Sequence, residues 1–150
     1  MKLRLEHISD GQEEVIVRYR QMTPTVQAIS DLVSQGGEKI LGRSEQGERY
    51  LLLDDILYFE SIDSKTFAYT QKDVYQVAYS LKDLVSTYAF KGFFRSAKAM
   101  VLNLYRIQYF SSQSFGRIEA TLDNGERVLI SRKYANKLRQ VLQEGIKDED

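Results

Sequence analysis

The chain of 150 residues has no cysteine, a single proline and a single histidine. Without cysteine it can form neither a disulfide nor a thiolate metal site, and it lacks a cysteine nucleophile. None of its apolar runs approaches the roughly 18 residues that a membrane-spanning helix needs. The beginning, "MKLRLEHISD", also lacks the apolar core of a signal peptide. These absences predict a cytoplasmic protein.

Catalytic residues are equally scarce. His7 has no nucleophile motif beside it. The acidic side chains between Asp54 and Asp63 could serve as Mg²⁺ ligands, but Asp54-Asp55 more simply marks a turn before the next strand. Gly36-Gly37 follows a predicted helix, whereas a phosphate-binding loop would lead into one. The sequence therefore predicts no enzyme, metal or cofactor. A metal-dependent enzyme built on those carboxylates is the weakest hypothesis.

Two alternating runs near the beginning, "KLRLEH" and "EVIVRY", predict strands. The following stretch, "TPTVQAISDLVSQGG", predicts a helix that is capped by Thr23 and ended by Gly36-Gly37. Residues 1–40 are therefore expected to form a small β-β-α extension, and residues 41–150 a separate domain.

From residue 38 onward, short aromatic and β-branched runs predict a mostly β fold. "SLKDLVSTY" interrupts them with a short helix that has the Ser80–Asp83 spacing of a capping box. "GRIEATLDNGERVLIS" predicts a hairpin with a type I′ turn at Asn124-Gly125. A last helix is expected to begin at Ser131, to bury Tyr134, Leu138, Val141 and Leu142, and to end at Gly145.

The formal net charge is zero, but the charge is unevenly distributed. Residues 91–142 contain ten Lys and Arg against three Asp and Glu, an excess of seven positive charges. Residues 1–90 contain ten against fourteen, and residues 143–150 one against four. A basic region of this kind favours a polyanionic partner. Chance clustering of surface charge is the alternative.

The stretch "FFRSAKAMVLN" places Arg95 and Lys98 among apolar residues, where a purely structural strand needs neither cation. Arg132 and Lys133 lie at the start of the last helix. Cations there oppose the helix dipole, so an anionic partner explains them better than solvent does. The seventeen Tyr and Phe residues could form a stacking platform for single-stranded nucleic acid. Because most of them alternate with apolar residues in strand runs, core packing is the favoured interpretation.

Four segments in order resemble the LytTR family of bacterial DNA-binding domains. They are "ILYFES", "VYQVAYSLKDL", "FFRSAKAMVLN" and "NGERVLISRKY", and the resemblance covers about residues 45 to 142. It implies an elongated, mostly β (α+β) arrangement of small antiparallel sheets with short helices. It also implies a transcription regulator that inserts loops into successive major grooves of double-stranded DNA. Because only about 40 residues precede the match, the chain resembles the stand-alone type, often paired with a small inhibitory membrane protein. A homodimer on repeated sites is a further expectation.

The resemblance implies which residues contact DNA. They are Lys65, Thr66, Arg95, Lys98, Asn103, Ser131, Arg132 and Lys133. The chain departs from the family pattern at Ala97, where relatives have His or Ser, and at Ala99, where they have Ser. Two polar groups expected beside the nucleic acid are therefore missing. The main alternative is a protein-interaction module that docks its basic face on an acidic partner, without nucleic acid.

Overall fold

The computed structural model describes residues 1–34 and 38–144. The chain divides into two compact units, Met1–Gly37 and Glu38–Asp150. The predicted boundary at residue 40 falls inside the first strand of the second unit. In chain order, the helices and strands are α1 (Pro24–Ser34), β1 (Lys39–Ser44), β2 (Gly47–Leu52), β3 (Tyr58–Ile62), β4 (Lys65–Tyr69), β5 (Val74–Val77), α2 (Leu81–Tyr88), β6 (Phe93–Ala97), β7 (Met100–Asn103), β8 (Ile107–Ser112), β9 (Ile118–Leu122), β10 (Arg127–Ile130) and α3 (Arg132–Glu144).

The first unit contains the predicted helix but not the two predicted strands. The Thr23 hydroxyl accepts a hydrogen bond from the backbone N–H of Val26 at 3.2 Å, which confirms the cap of α1. Residues 1–23 contain neither helix nor strand, so the prediction of strands at "KLRLEH" and "EVIVRY" was wrong. Leu3 and Leu5 remain 82% and 86% exposed. An isolated pair of strands without a packed face is barely stable, so alternation alone does not form a sheet. The predicted stop at Gly36-Gly37 lies outside the described residues.

The second unit is built on a seven-stranded antiparallel sheet with the strand order β2-β1-β5-β4-β3-β7-β6. Helix α2 lies between β5 and β6 in the chain, and the N-cap half of its predicted capping box is confirmed because the Ser80 hydroxyl accepts from the Asp83 N–H at 3.1 Å. Strand β1 was not predicted individually. Its burial alternates between exposed and buried residues, as expected for a strand with one buried face.

A smaller sheet with the order β10-β9-β8 follows. The predicted β9–β10 hairpin is confirmed, but its turn is not type I′. Gly125 has a φ of +87° while Asn124 stays at negative φ, and the Gly125 N–H donates to the Leu122 carbonyl at 2.9 Å. This is a three-residue turn that ends in a left-handed glycine, the next commonest hairpin connection.

Two hydrophobic cores lie on opposite faces of the central strands. One core contains Phe59, Val101 and Leu84 of α2, and the other contains Tyr58, Leu102 and Leu138 of α3. Because neighbouring strand residues point to opposite faces, β3 and β7 supply both cores. On α3, Ala135 is buried while Leu142 is 47% exposed, so the predicted apolar face was wrong at that position. Gly145, the predicted helix end, lies outside the described residues.

Tyr58 lies within the second core and Tyr69 at its margin, and their rings stack with centroids 4.4 Å apart. The Tyr69 hydroxyl donates to Glu60 Oε1 at 2.9 Å. Burial and this carboxylate raise the pKa of Tyr69 to about 12. Burial and the nearby Glu126 raise the pKa of Tyr58 as well. Five of the seventeen aromatic residues are buried, whereas seven, among them Tyr109 and Phe115, are exposed, so core packing explains only part of them.

These shifted pKa values predict a loss of stability in alkali. Below pH 10 the Tyr69 phenol is neutral in both states. Between pH 10 and about 12 the unfolded chain loses the proton while the folded chain keeps it, so the free energy of unfolding falls. Urea titrations across this range, together with tyrosinate absorbance, measure the effect. Tyr69→Phe should make the fall shallower, and an unchanged pH dependence in that variant would contradict the assignment.

Candidate nucleic-acid interface

The turn between β3 and β4 places Lys65 at one end of the seven-stranded sheet. Ile62 pairs with Lys65, which leaves only Asp63 and Ser64 in the turn. Both have positive φ, +50° and +64°, as a type I′ turn requires. Such a short turn fixes the backbone of Lys65, whose side chain is exposed. The predicted contact loop is therefore a tight turn.

The turn between β6 and β7 places Lys98 at the same end of the sheet. The Arg95 guanidinium donates from Nε to the Ala97 carbonyl at 2.9 Å and from a second nitrogen to the Lys98 carbonyl. The Ala99 carbonyl accepts from the Ser61 N–H at 2.9 Å, which attaches the turn to the end of β3. Lys98 and Ala99 are exposed, and Ala97 is partly exposed. Lys98 is therefore presented on a braced turn, and Arg95 is the brace.

Lys65, Thr66, Arg95 and Lys98 line one surface depression. Thr66 itself is buried, with 7% of its surface exposed. Lys82, in the first turn of α2, lines the same depression and was missed in the sequence. The signal was available, since the argument that singled out Arg132 and Lys133 at a helix start applies equally to Lys82.

Asn103 does not belong to this surface. It is 2% exposed, and its side-chain amide donates to the Ile56 carbonyl at 2.9 Å. Its side-chain oxygen accepts from the Tyr105 N–H at 3.1 Å. The amide nitrogen and the amide oxygen of Asn103 therefore both make hydrogen bonds within the protein, and the predicted DNA contact of this residue stays a prediction. The position of Asn103 at the end of a strand did not distinguish these roles.

The other predicted residues lie at the start of α3. Ser131 occupies the N-cap position, and its carbonyl accepts from the Ala135 N–H at 2.7 Å. Arg132 and Lys133 follow in the first turn, and all three side chains are exposed. The Lys133 ammonium lies 5.4 Å from the centre of the Tyr134 ring, so part of its environment is aromatic.

The loop that precedes β9 packs beside this helix start and was also missed in the sequence. Two guanidinium nitrogens of Arg139 donate to the Gly116 carbonyl, each at 3.3 Å. Gly116 has a φ of +76°, and a Cβ there would stand 3.2 Å from Cγ of Arg132, so a side chain at this position would be strained and glycine is favoured. The loop exposes 84% of Phe115, with the Arg117 guanidinium 5.8 Å from its ring centre. This adds an aromatic and a cationic group to the helix start.

Few cations in residues 1–34 and 38–144 form ion pairs, and those described above do not. Arg43, Arg106 and Arg127 each lie within 4 Å of a carboxylate. Within residues 1–34 and 38–144, none of the cations at the turns and helix starts forms an ion pair; these are Lys65, Lys82, Arg95, Lys98, Arg132 and Lys133. Their charge is thus not neutralised within the described part of the chain.

The carboxylates considered as metal ligands are dispersed. Asp54 and Asp55 lie in a single 3-10 turn. Arg106 donates to the Asp54 carbonyl at 2.6 Å and lies 3.9 Å from an Asp55 carboxylate oxygen. Among the described residues, no three His, Asp or Glu side chains come together as metal ligands. In the same part of the chain, no helix is both long and apolar enough to cross a membrane.

Lysines and arginines clustered on one face of a domain are typical of proteins that bind polyanions. A model of the LytTr DNA-binding domain matches residues 48–143. The chain therefore belongs to the LytTR family of DNA-binding domains. Its structure is similar to that of a LytTr DNA-binding domain from Bacillus cereus, with a TM-score of 0.66 and 23% identity over 71% of this chain and 98% of the other. A comparison with curated proteins found no significant match.

The bracing role of Arg95 predicts a difference in stability between two neighbouring cations. Arg95→Met keeps an apolar stem but loses both hydrogen bonds to the turn, which should lower the free energy of unfolding by about 1–3 kcal/mol. Lys98→Ala removes an exposed side chain and should change it by less than about 0.5 kcal/mol. Urea unfolding of both variants measures the difference. Equal stabilities would show that Arg95 does not brace the turn.

Proposed function

We propose that this protein is a sequence-specific transcription regulator that binds double-stranded DNA through the two basic turns and the start of α3, each entering a major groove. Membership of the LytTR family supports DNA as the ligand. The observation that carries the proposal is the unpaired charge of Lys65 and Lys98 on two short turns at one end of the sheet. Because the short turns already fix the backbone beneath these lysines, binding has to order only their side chains, which suits recognition of a duplex.

We assign each cation either to base edges or to phosphates and loop bracing, according to the groups that surround it. Lys98 is exposed and free of ion pairs, so we assign it to base edges, where lysine facing a guanine is among the commonest specific contacts. We assign Lys133 the same role at the second site. Arg95 holds the first turn, and the stem of Arg132 lies beside Gly116, so these two arginines brace their loops or contact phosphates. Phosphate contacts fix the register of the protein on the duplex.

Three further expectations remain proposals, of which the first rests on the composition of the sequence and the other two rest on the resemblance. The regulator acts in the cytoplasm, a small membrane protein restrains it, and two copies bind repeated sites. The alternative function, docking on an acidic protein, predicts no affinity for duplex DNA.

The salt dependence of binding tests the function. Each phosphate contact should contribute a slope of roughly −0.9 to a plot of log affinity against log salt, so four contacts give about −3.6. The slope can be measured by fluorescence anisotropy on a labelled duplex enriched by selection from random sequence. A flat salt response, or no binding to any duplex, would exclude DNA and favour an acidic protein partner.

Removal of Lys98 tests whether it reads sequence. Lys98→Ala should cost about 1–3 kcal/mol of binding free energy and should relax the preference at one base pair. The ranking of operator variants by affinity measures this. Lys72→Ala is the matched control, because Lys72 is an exposed lysine in the turn between β4 and β5, at the other end of those strands. If Lys98→Ala weakens every variant equally, Lys98 contacts phosphate and does not read bases.

A further inference from the structure

The depression at the basic end of the seven-stranded sheet has a volume of about 590 Å³. It lies between the two turns, the end of β5 and the start of α2. Its lining carries four cationic side chains and no carboxylate; these cations are Lys65, Lys82, Arg95 and Lys98. Because the Arg95 guanidinium donates hydrogen bonds to carbonyls of the β6–β7 turn, the ammonium groups of the three lysines are the cations available to a ligand. A concave surface with charge of one sign concentrates ions of the opposite sign.

Thr66 provides a neutral donor at the wall of this depression. With 7% of its surface exposed, Thr66 is 93% buried, and it pairs with Ser61 of β3 and Val77 of β5. Its hydroxyl makes no hydrogen bond among the described residues. In that part of the chain, every side-chain oxygen or nitrogen that is fully enclosed has a hydrogen-bond partner, so the unpartnered Thr66 hydroxyl is not fully enclosed. The hydroxyl therefore reaches the depression, where a ligand can accept its proton in a hydrogen bond.

The start of α2 supplies two further donors. The Ser80 hydroxyl accepts a hydrogen bond from the Asp83 N–H, and the Ser80 carbonyl accepts one from the Leu84 N–H. The N–H groups of Leu81 and Lys82 belong to the first helical turn, so they have no partner within the helix. Both residues line the depression. The positive end of the helix dipole adds to the charge of the lysines.

We propose that this depression binds one phosphate group, held by the Thr66 hydroxyl, the Leu81 and Lys82 N–H groups and the Lys82 ammonium. A tetrahedral anion with several acceptor oxygens matches donors from a strand and a helix start that line one depression. The phosphate is either a phosphodiester of the bound duplex or a free phosphate ester. The first source rests on the proposed function, whereas the anion site itself does not.

Titration with inorganic phosphate tests the site. The probe is the backbone amide spectrum of the ¹⁵N-labelled full chain, with chloride adjusted to hold ionic strength constant. Saturable shifts are expected at Thr66 and at residues 80–82. Lys82→Gln should abolish saturation, and Thr66→Val, which keeps the shape of the side chain, should weaken binding by about 2- to 12-fold. The control Lys72→Gln should behave like the wild type.

The dispersion of the same spectra reports whether each variant is folded. Absence of saturable shifts in the wild type would overturn the proposal. So would equal phosphate affinity in the wild type, folded Lys82→Gln and folded Thr66→Val.

Duplex binding identifies the source of the phosphate. If the site holds a phosphodiester, Lys82→Gln should make the salt slope shallower by about 0.9 and should weaken all sequences by the same factor. If phosphate binds but the slope of Lys82→Gln equals that of the wild type, the ligand is a free phosphate ester. Failure of the wild type to bind any duplex would reject the proposed function and leave the phosphate titration as the measure of the site.

Discussion

The alternation of side chains along β3 and β7 is the constraint on which the second unit depends. Phe59 and Val101 enter one core while their neighbours Tyr58 and Leu102 enter the other. A shift of either strand by one residue would move each of these side chains to the wrong core, so the register of the sheet is strongly specified. The ends of the strands, and the turns attached to them, are fixed as a consequence.

Because the ends of the strands are fixed, the exposed residues on the attached turns, which do not pack in either core, form a basic surface. The backbone hydrogen bond from the Ser61 N–H to the Ala99 carbonyl joins the end of β3 to the β6–β7 turn. Arg95, in β6, donates a side-chain hydrogen bond to a carbonyl of the same turn. Lys65 and Lys98 are therefore exposed on short turns whose backbone is held in place. Because the free energy of binding includes the entropy lost on ordering a contact, such placement favours specific recognition over loose attraction.

A neutral chain can present a basic surface because its carboxylates lie mostly elsewhere, since residues 91–142 carry ten Lys and Arg against three Asp and Glu. Arg106 is neutralised by Asp55 and Asp123, and Arg127 lies near Glu119. The lysines at the turns lack such partners within the described residues. Net charge thus reveals little about this protein, whereas the clustering of cations at one end of the sheet favours a polyanionic ligand. The same reasoning extends to Lys82, which the fold brings to the depression beside Lys65 and Lys98.

The sequence by itself determined those features that depend on neighbours along the chain. Short aromatic runs became strands, Thr23 and Ser80 capped their helices, and the segment around Asn124-Gly125 formed a hairpin. Tertiary structure alone decided the strand order and the burial of Asn103, because both depend on contacts between distant segments. It also left "KLRLEH" and "EVIVRY" without strand structure, since alternation predicts a strand only where a partner and a core are available. The convergence of Lys65, Lys82 and Lys98 has the same origin: pairing of distant strands, rather than any local pattern, brings their backbones together.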